Sequence, residues 1–426
     1  MTFDFKVDIS KFYRIRKEAL VEGLFFLAMF TVYLGSLHPW FLWPIGDLYF
    51  IIGACFALAC MLIDNSRPQP SLSTADLLLP AGLFFVASFF IVFVNGPTIG
   101  YLFFTFASWV VMVLLLRGRG AMLQRFCDRV AKIMAVSMAV SLFFFLIYLA
   151  GFPLPSVSTQ FNDYQYSYDN YFLFMRSDWS LDAIIPRFHS VFLEPGHLGT
   201  AVVLLLMTQF GRWRKWYNVL LIIVALSTFS LAAYALLVTL VFLNMWVQRQ
   251  HILRKLLLAL VALALVTLGA FTYNEGDNML HDLIFLRLEV DEETGDMVGN
   301  NRVSDDFEKE FEQYITTTDI FLGRDMKNVG KAGNGQGNSG YRVFIYENGI
   351  IATFLVFAFY WLSLRHYRDR RYFLSAALIF ALTFWIRGYP LWYSNLIPFF
   401  VTALQDRQSW QQAPKAPPLC LSKSEI

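Results

Sequence analysis

Four side chains able to bind or transfer charge lie close together in the run "PRFHSVFLEPGHLG", where Arg187, His189, Glu194 and His197 precede or begin an apolar segment. An arginine offers a planar donor pair that suits phosphate oxygens. A carboxylate in an apolar setting can have a raised pKa and act as a base, and histidines titrate near neutral pH. Each residue alone also fits a structural role, such as an interfacial anchor or a charge at a helix N-terminus. Arg187 and Glu194 together, beside a Pro-Gly pair, favour a functional site.

A second group of polar residues follows about a hundred residues later. Apolar residues recur at helical spacing over 303–315, which predicts an amphipathic helix outside the apolar segments. Several arginines near one membrane face suit a polyanionic headgroup such as a lipid pyrophosphate. The candidate binding residues of this group are Arg302, Arg324, Asn338, Tyr341 and Arg342.

The composition indicates what must position these residues. Of the 426 residues, 57% are hydrophobic and 15% are charged, and the mean hydropathy is +0.50. Soluble proteins contain about 25% charged residues. Apolar runs of about 20 residues, the length needed to cross a bilayer, recur along the chain. We therefore expect an all-α, polytopic integral membrane protein with a single membrane domain, 1–426. The net charge of +2 gives no support for a nucleic-acid partner.

Twelve membrane spans are predicted, with basic clusters and both termini on the cytoplasmic side. One apolar run, 217–248, has basic residues at both ends, "RWRK" and "RQHILRK". A hairpin of two short spans, turning at "LSTFSL", keeps both ends in the cytoplasm. The alternative is one long, tilted or kinked helix. The predicted spans are 19–37, 47–63, 76–94, 97–116, 131–150, 190–209, 217–229, 231–247, 256–273, 344–362, 372–387 and 390–405.

This topology places two large loops outside the membrane. The first, 152–188, is rich in Tyr, Asp and Asn, and its aromatic rings fit either sugar stacking or an ordinary membrane interface. The second, 274–343, lies between the ninth and tenth spans and is acidic. The predicted first outside loop is "HPWFLWPIGD", and its one acidic residue is Asp47. A metal site in this loop would use a pair of acidic residues, so the sequence disfavours a metal-dependent enzyme. We expect no metal and no cofactor. Oxygen ligands for a hard cation in 291–296 or 304–306 are the alternative.

These elements, in this order, resemble the O-antigen polymerase (Wzy-type) and O-antigen ligase superfamily of bacterial inner-membrane polysaccharide enzymes. The resemblance rests on the arginine followed by "EPGHLG", a serine-bearing hairpin, a long outside loop with an arginine, and the return motif "GNSGYRVFIYENGII". The ligase branch has a histidine in that motif, eleven positions before the glycine matched by Gly349. This chain has Asn338 there, which cannot act as a base and therefore favours the polymerase.

The resemblance implies a GT-C-like arrangement of helices and a metal-independent glycosyltransferase. A glycan on undecaprenyl pyrophosphate is the donor, and the next lipid-linked repeat unit supplies the acceptor hydroxyl. On this interpretation Arg187 and Arg302 stabilise the leaving pyrophosphate, and Glu194 orients or deprotonates the acceptor. The implied substrate-binding residues are His189, His197, Arg324, Asn338, Tyr341 and Arg342.

The resemblance also implies a location and partners. The site would face the periplasm or cell exterior from the bacterial inner membrane, and a chain-length regulator and a flippase would be its partners. Three other functions stay open: an O-antigen ligase-type transferase, a flippase or transporter of lipid-linked oligosaccharides, and a purely structural membrane subunit of a polysaccharide assembly complex. The predicted spans carry little charge in their interiors, and polar residues gather at the outer face, which favours surface chemistry over translocation.

Overall fold

The computed structural model describes residues 9–64, 74–118, 120–161, 167–177, 186–209, 211–248, 252–276, 278, 281–285, 305–324, 340–363 and 370–404. Thirteen α-helices lie in these ranges: α1 Ile9–Gly35, α2 Leu48–Ile63, α3 Thr74–Val94, α4 Ile99–Arg117, α5 Gly120–Leu149, α6 Pro195–Met207, α7 Trp216–Ser227, α8 Leu231–Gln248, α9 Ile252–Thr272, α10 Asp305–Tyr314, α11 Tyr341–Ser363, α12 Arg370–Ile386 and α13 Tyr393–Leu404.

Five of these helices, α1, α3, α4, α5 and α11, are long and apolar enough to cross a membrane. Several helices expose large apolar side chains. Examples are Phe93 on α3, Phe103 on α4, Leu265 on α9 and Phe354 on α11. A soluble protein rarely exposes so much contiguous apolar surface. The chain is therefore a helical membrane protein. Each of the twelve predicted spans overlaps one helix, and their crossing of the bilayer remains a prediction.

The helix α6 forms the centre of the bundle. All its residues from Gly196 to Met207 are buried, because α5, α7, α8 and α13 pack around it. A helix that is apolar on every side is expected in such a position. The surrounding helices therefore hold the start of α6 in place, and the candidate residues Glu194 and His197 lie there.

The apolar run 217–248 is two helices. The helix α7 ends at Ser227 and α8 begins at Leu231, and Phe229 between them has φ 45°. Ser230 helps to begin α8, because its Oγ accepts a hydrogen bond from the Ala233 backbone at 3.4 Å. The prediction of a break at "LSTFSL" is confirmed, and the hairpin of two membrane spans stays a prediction.

A small antiparallel sheet lies in the first large loop. Its strands are β1 Val157–Gln160, β2 Ser167–Asn170 and β3 Met175–Ser177, in the order β1-β2-β3. A sheet departs from the all-helical expectation, since strands of three or four residues are too short to show a period-two pattern. The backbone N–H of Met175 donates to the Ser190 carbonyl at 2.8 Å. The sheet is thereby attached to the turn that leads into α6.

The predicted amphipathic helix of the second loop is confirmed as α10. Phe307 and Tyr314 on α10 pack with Tyr346 of α11 in a separate small core. Two glycines with positive φ bring the backbones together beneath this core. A Cβ on Gly323 would lie 2.4 Å from the Glu347 carbonyl oxygen, and one on Gly349 would lie 2.4 Å from the Phe321 carbonyl oxygen. The α10 segment is therefore fixed on the first turns of α11.

Candidate functional site

Glu194 lies at the N-terminus of α6, and an arginine from a distant part of the chain holds its carboxylate. Glu194 is extended, with φ −138° and ψ 146°, and Pro195 occupies the first helical position, where proline is favoured. Arg387 follows the end of α12, and its Nη1 donates a hydrogen bond to Glu194 Oε2 at 2.9 Å. The Arg387 side chain is 13% exposed and that of Glu194 is 37% exposed. The arginine is therefore mostly buried, whereas the carboxylate is partly accessible to solvent.

Glycines in "EPGHLG" make this approach possible. A Cβ on Gly196 would lie 1.6 Å from Arg387 Nη2, so the guanidinium group occupies the space of a side chain. One turn later, a Cβ on Gly199 would lie 2.6 Å from the Cβ of Ala233 on α8. Two glycines on one side of α6 thus admit Arg387 and the neighbouring helix α8.

Two histidines meet the same tryptophan beside this ion pair. The Nε2 of His197 is 3.6 Å from Glu194 Oε2, and its ring lies edge-on to Trp392 with centroids 4.9 Å apart. His38 follows α1, and its ring also lies against Trp392, with centroids 5.1 Å apart. Within the described part of the chain, the buried Nδ1 atoms of both histidines and Nε2 of His197 make no hydrogen bond. Buried polar atoms are normally paired, so these nitrogens are candidates for binding a ligand.

His189 is placed differently from the prediction that it contacts substrate. Its side chain is almost fully buried, and Nδ1 lies 2.5 Å from the Phe192 carbonyl oxygen, which requires the proton on Nδ1. Burial lowers the pKa of His189 to about 4, so the ring is neutral at pH 7. Its role in this conformation is to close the turn that precedes Glu194. Substrate contact by His189 stays a prediction.

Arg187 connects this turn to the break between α7 and α8. Its Nε donates a hydrogen bond to the Thr228 carbonyl at 3.2 Å, and the backbone N–H of Phe188 donates to the Ser227 carbonyl at 3.2 Å. The break in the apolar run therefore supplies acceptors that hold the arginine near the start of α6. Arg187 is also close enough to Glu194 for its positive charge to lower the pKa of the Glu194 carboxyl.

The electrostatics of Glu194 differ from the expectation of a raised pKa. Burial acts to raise the pKa of the Glu194 carboxyl. The neighbouring His197 and Arg387 side chains, with a smaller contribution from Arg187, outweigh burial and lower the pKa well below its usual range. The raised pKa is therefore wrong for this conformation. Glu194 is an ionised carboxylate in ion-pair contact with Arg387.

Two arginines of the second group, Arg324 and Arg342, make ion pairs with carboxylates. Arg324 donates to Asp319 at 2.7 Å and to Glu310 of α10 at 2.9 Å. Arg342, in the first turn of α11, donates to Glu308 of α10 at 2.5 Å. Both guanidinium groups help to hold α10 on α11. A substrate phosphate would have to compete with these carboxylates, so binding by Arg324 or Arg342 remains a prediction.

The beginning of α11 touches the end of α12, next to Arg387. The ring of Tyr341 stacks on Trp385 with centroids 4.5 Å apart. Gly388 lies so close to the Gly340 backbone that a Cβ on Gly388 would be 2.6 Å from the Gly340 carbonyl oxygen. The structure thereby brings Tyr341 and the Glu194 ion pair to one end of the bundle. Arg302 and Asn338, the other two candidates, lie outside the described residues.

Sequence reasoning missed Arg387 and His38. The run "FWIRGYP" carries a signal for Arg387, since a lone arginine ends a predicted span and precedes a Gly-Tyr-Pro turn. His38 follows a predicted span in the same way, directly before Pro39. Neither position reveals its partner, because the contact with Glu194 or with Trp392 depends on how distant helices pack.

The described residues hold no group of three or more His, Cys, Asp or Glu side chains arranged to bind a metal ion. Among the described residues, the Glu194 carboxylate lies near the guanidinium groups of Arg387 and Arg187, at the positive end of a helix. This arrangement suits an anion together with a hydroxyl group. No known protein family, curated protein or solved structure matches the chain.

Proposed function

We propose that the protein is a membrane-embedded, metal-independent glycosyltransferase that polymerises lipid-linked oligosaccharide repeat units, as in the Wzy-type enzymes that its motifs resemble. The observation that carries the proposal is the Glu194–Arg387 pair at the N-terminus of α6, with Arg187 close by. Two guanidinium groups and a helix N-terminus favour a phosphate leaving group. A carboxylate beside them can orient a hydroxyl group.

The reaction has one bond formed and one broken. An acceptor hydroxyl oxygen attacks the anomeric carbon of the donor, and the bond from that carbon to the polyprenyl pyrophosphate breaks. The pyrophosphate leaves with the electron pair, and Arg187 and Arg387 stabilise its charge. The hydroxyl proton goes to Glu194.

Binding of the donor also makes Glu194 a better base. The cationic groups around Glu194 hold its pKa low. A pyrophosphate bound to Arg387 partly neutralises this cation and competes with the carboxylate for its donors, so the pKa of Glu194 rises towards its usual range. The carboxylate thus accepts a proton most readily when donor is present. This coupling limits activation of the acceptor hydroxyl to the complex that can react.

The proposal places the site at the outer face of the bacterial inner membrane. Its substrate is an oligosaccharide on undecaprenyl pyrophosphate, and a flippase and a chain-length regulator are its functional partners. Arg302 is assigned a second phosphate contact through the resemblance. Ligase-type transfer and flipping are separate outcomes of the test.

The test measures glycan chain length in a strain that lacks this gene and is complemented at matched expression. The variants are Arg187→Ala, Glu194→Ala and Arg302→Ala, with Arg125→Ala as a control because Arg125 pairs with Glu22 far along the chain from the site. Single repeat units on the final acceptor, in the deletion and in the three variants, support a polymerase.

Two results overturn the proposal. Long chains that stay on the lipid carrier indicate a ligase. Failure of even single units to reach the outer face indicates a flippase.

A further inference from the structure

A cavity of about 190 Å³ lies at the end of α6 opposite to Glu194. The last residues of α6, the second half of α8, the start of α12 and the end of α13 surround it. The helix α6 has 13 residues, so about 20 Å separates this cavity from the candidate active site. Its chemistry is therefore independent of the Glu194 site.

The cavity wall is apolar apart from a few polar groups. Two of its hydrogen-bond donors, Ser375 Oγ and Trp213 Nε1, are buried without a partner among the described residues. An apolar wall selects a hydrocarbon chain, and two orphaned donors select an acceptor oxygen. An ester carbonyl at the top of an acyl chain supplies both features. The apolar wall residues are Leu206, Met207, Leu240, Leu243 and Val247.

Basic residues flank the wall where Trp213 enters it. Arg212 is fixed by an ion pair with Asp128 of α5 at 2.8 Å, which holds the connection between α6 and α7 in place. Arg214 and Lys215, directly after Trp213, are exposed. A cationic rim beside orphaned donors and an apolar wall matches the order of groups in a glycerophospholipid: phosphate, ester and acyl chain.

We propose that this cavity binds an anionic glycerophospholipid from the membrane leaflet at this end of the bundle. Ser375 and Trp213 donate to an ester carbonyl, and Arg214 and Lys215 contact the phosphate. A dry cavity of about 150 Å³ accommodates a molecule the size of benzene, so this one holds the first part of one acyl chain. The remainder of the chain lies along the exposed apolar face of α8. The bound lipid joins the ends of four helices.

The experiment uses the full-length protein purified in a mild detergent. Native mass spectrometry measures retained lipid, and thermal unfolding is followed with added phosphatidylglycerol or phosphatidylcholine. We expect retention of one phosphatidylglycerol and a larger rise in unfolding temperature with phosphatidylglycerol than with phosphatidylcholine. Ser375→Leu, which removes a donor and fills the cavity, should weaken binding about tenfold. Thr239→Leu is the control, since it adds the same side chain to α8 outside the cavity wall.

A second pair of variants tests the headgroup contact. Arg214→Gln with Lys215→Gln should abolish the preference for phosphatidylglycerol, whereas Lys17→Gln, an exposed basic residue on α1, should keep it. The proposal is overturned if both lipids stabilise the protein equally or if Ser375→Leu binds as wild type does. Displacement of phosphatidylglycerol by an equimolar polyprenyl phosphate also overturns it, because the cavity then belongs to the carrier lipid.

Discussion

Arg387 reaches Glu194 by passing over the Cα of Gly196, where its Nη2 lies 1.6 Å from the position a Cβ would take. The carboxylate and the guanidinium group come from residues 193 positions apart, and the absence of one side chain lets them meet. A substitution at residue 196 therefore tests the ion pair without removing either charge.

Gly196→Ala should displace Arg387 from Glu194 and reduce polymer formation about 100-fold, the loss that a misplacement of about 1 Å can cause. Chain length on gels, at matched protein level, measures this effect. Gly82→Ala is the matched control, because a Cβ at this helical glycine of α3 meets nothing within 4 Å. Normal chains from Gly196→Ala would show that the site does not depend on this contact.

Arg387→Ala removes the donor and should also reduce the rate about 100-fold, as expected for the loss of one positioned group that stabilises developing charge. Arg387→Lys should retain part of the activity, since it keeps the charge but loses the planar pair of donors. Turnover of lipid-linked repeat units by purified protein measures both rates. The polymerase account of this residue fails if Arg387→Ala turns over substrate as fast as the Arg125→Ala control.

Gly349→Ala should release α10 from α11. The residue has φ 75° and meets the Phe321 backbone, so a Cβ is both strained and obstructed. Hydrogen exchange of the backbone amides in 305–324 should become faster, while exchange in α6 stays unchanged. Gly269→Ala on α9 serves as control, because the space around this glycine is open. Unchanged exchange in 305–324 would contradict the docking role of the two glycines.

The burial of His189 should make the folded protein less stable in acid. Its folded pKa is about 4 against 6.5 for an unperturbed histidine, because burial outweighs the hydrogen bond to Phe192, Arg187 lowers the pKa further, and Glu194 opposes Arg187. Between these two values the unfolded chain binds more protons, so the free energy of unfolding falls as the pH falls, by up to about 1.4 kcal/mol per pH unit. This contribution is fully present above pH 6.5.

The measurement compares unfolding temperatures of wild type and His189→Asn over this pH window. Asparagine can keep a donor near the Phe192 carbonyl and does not titrate, so its unfolding temperature should depend less on pH. Equal pH dependence in the two proteins would show that His189 is not the titrating group.

The helix positions were largely predictable from the sequence. Apolar runs predicted where the helices lie, and the flanking charges of 217–248 predicted a break where Phe229 adopts a positive φ. The spacing of Phe307, Phe311 and Tyr314 predicted α10. In each case the information is local, because a run of apolar residues or a helical period is contained within one segment.

The partners of the candidate site residues were not predictable. Glu194 was recognised as a candidate, but its pairing with Arg387 depends on the packing of α12 against the bundle. The direction of its pKa depends on how His197 and Arg387 lie against its carboxylate, and it was predicted wrongly. The hydrogen bond of His189 was not predictable either, because it depends on the burial of this side chain in the turn beside the short sheet.

The shortness of α6 and α7 has a consequence for the membrane near the candidate site. At 13 and 12 residues they extend about 20 Å and about 18 Å, against a hydrocarbon core of about 30 Å. A bilayer that matches the longer helices α5 and α11 would bury the charged start of α6. Local thinning of the membrane, or a water-filled depression above α6, resolves this mismatch. In either case the headgroups nearest Glu194 lie deeper than their neighbours. Under the proposed function, a lipid-borne phosphate would then reach the arginines without leaving its leaflet.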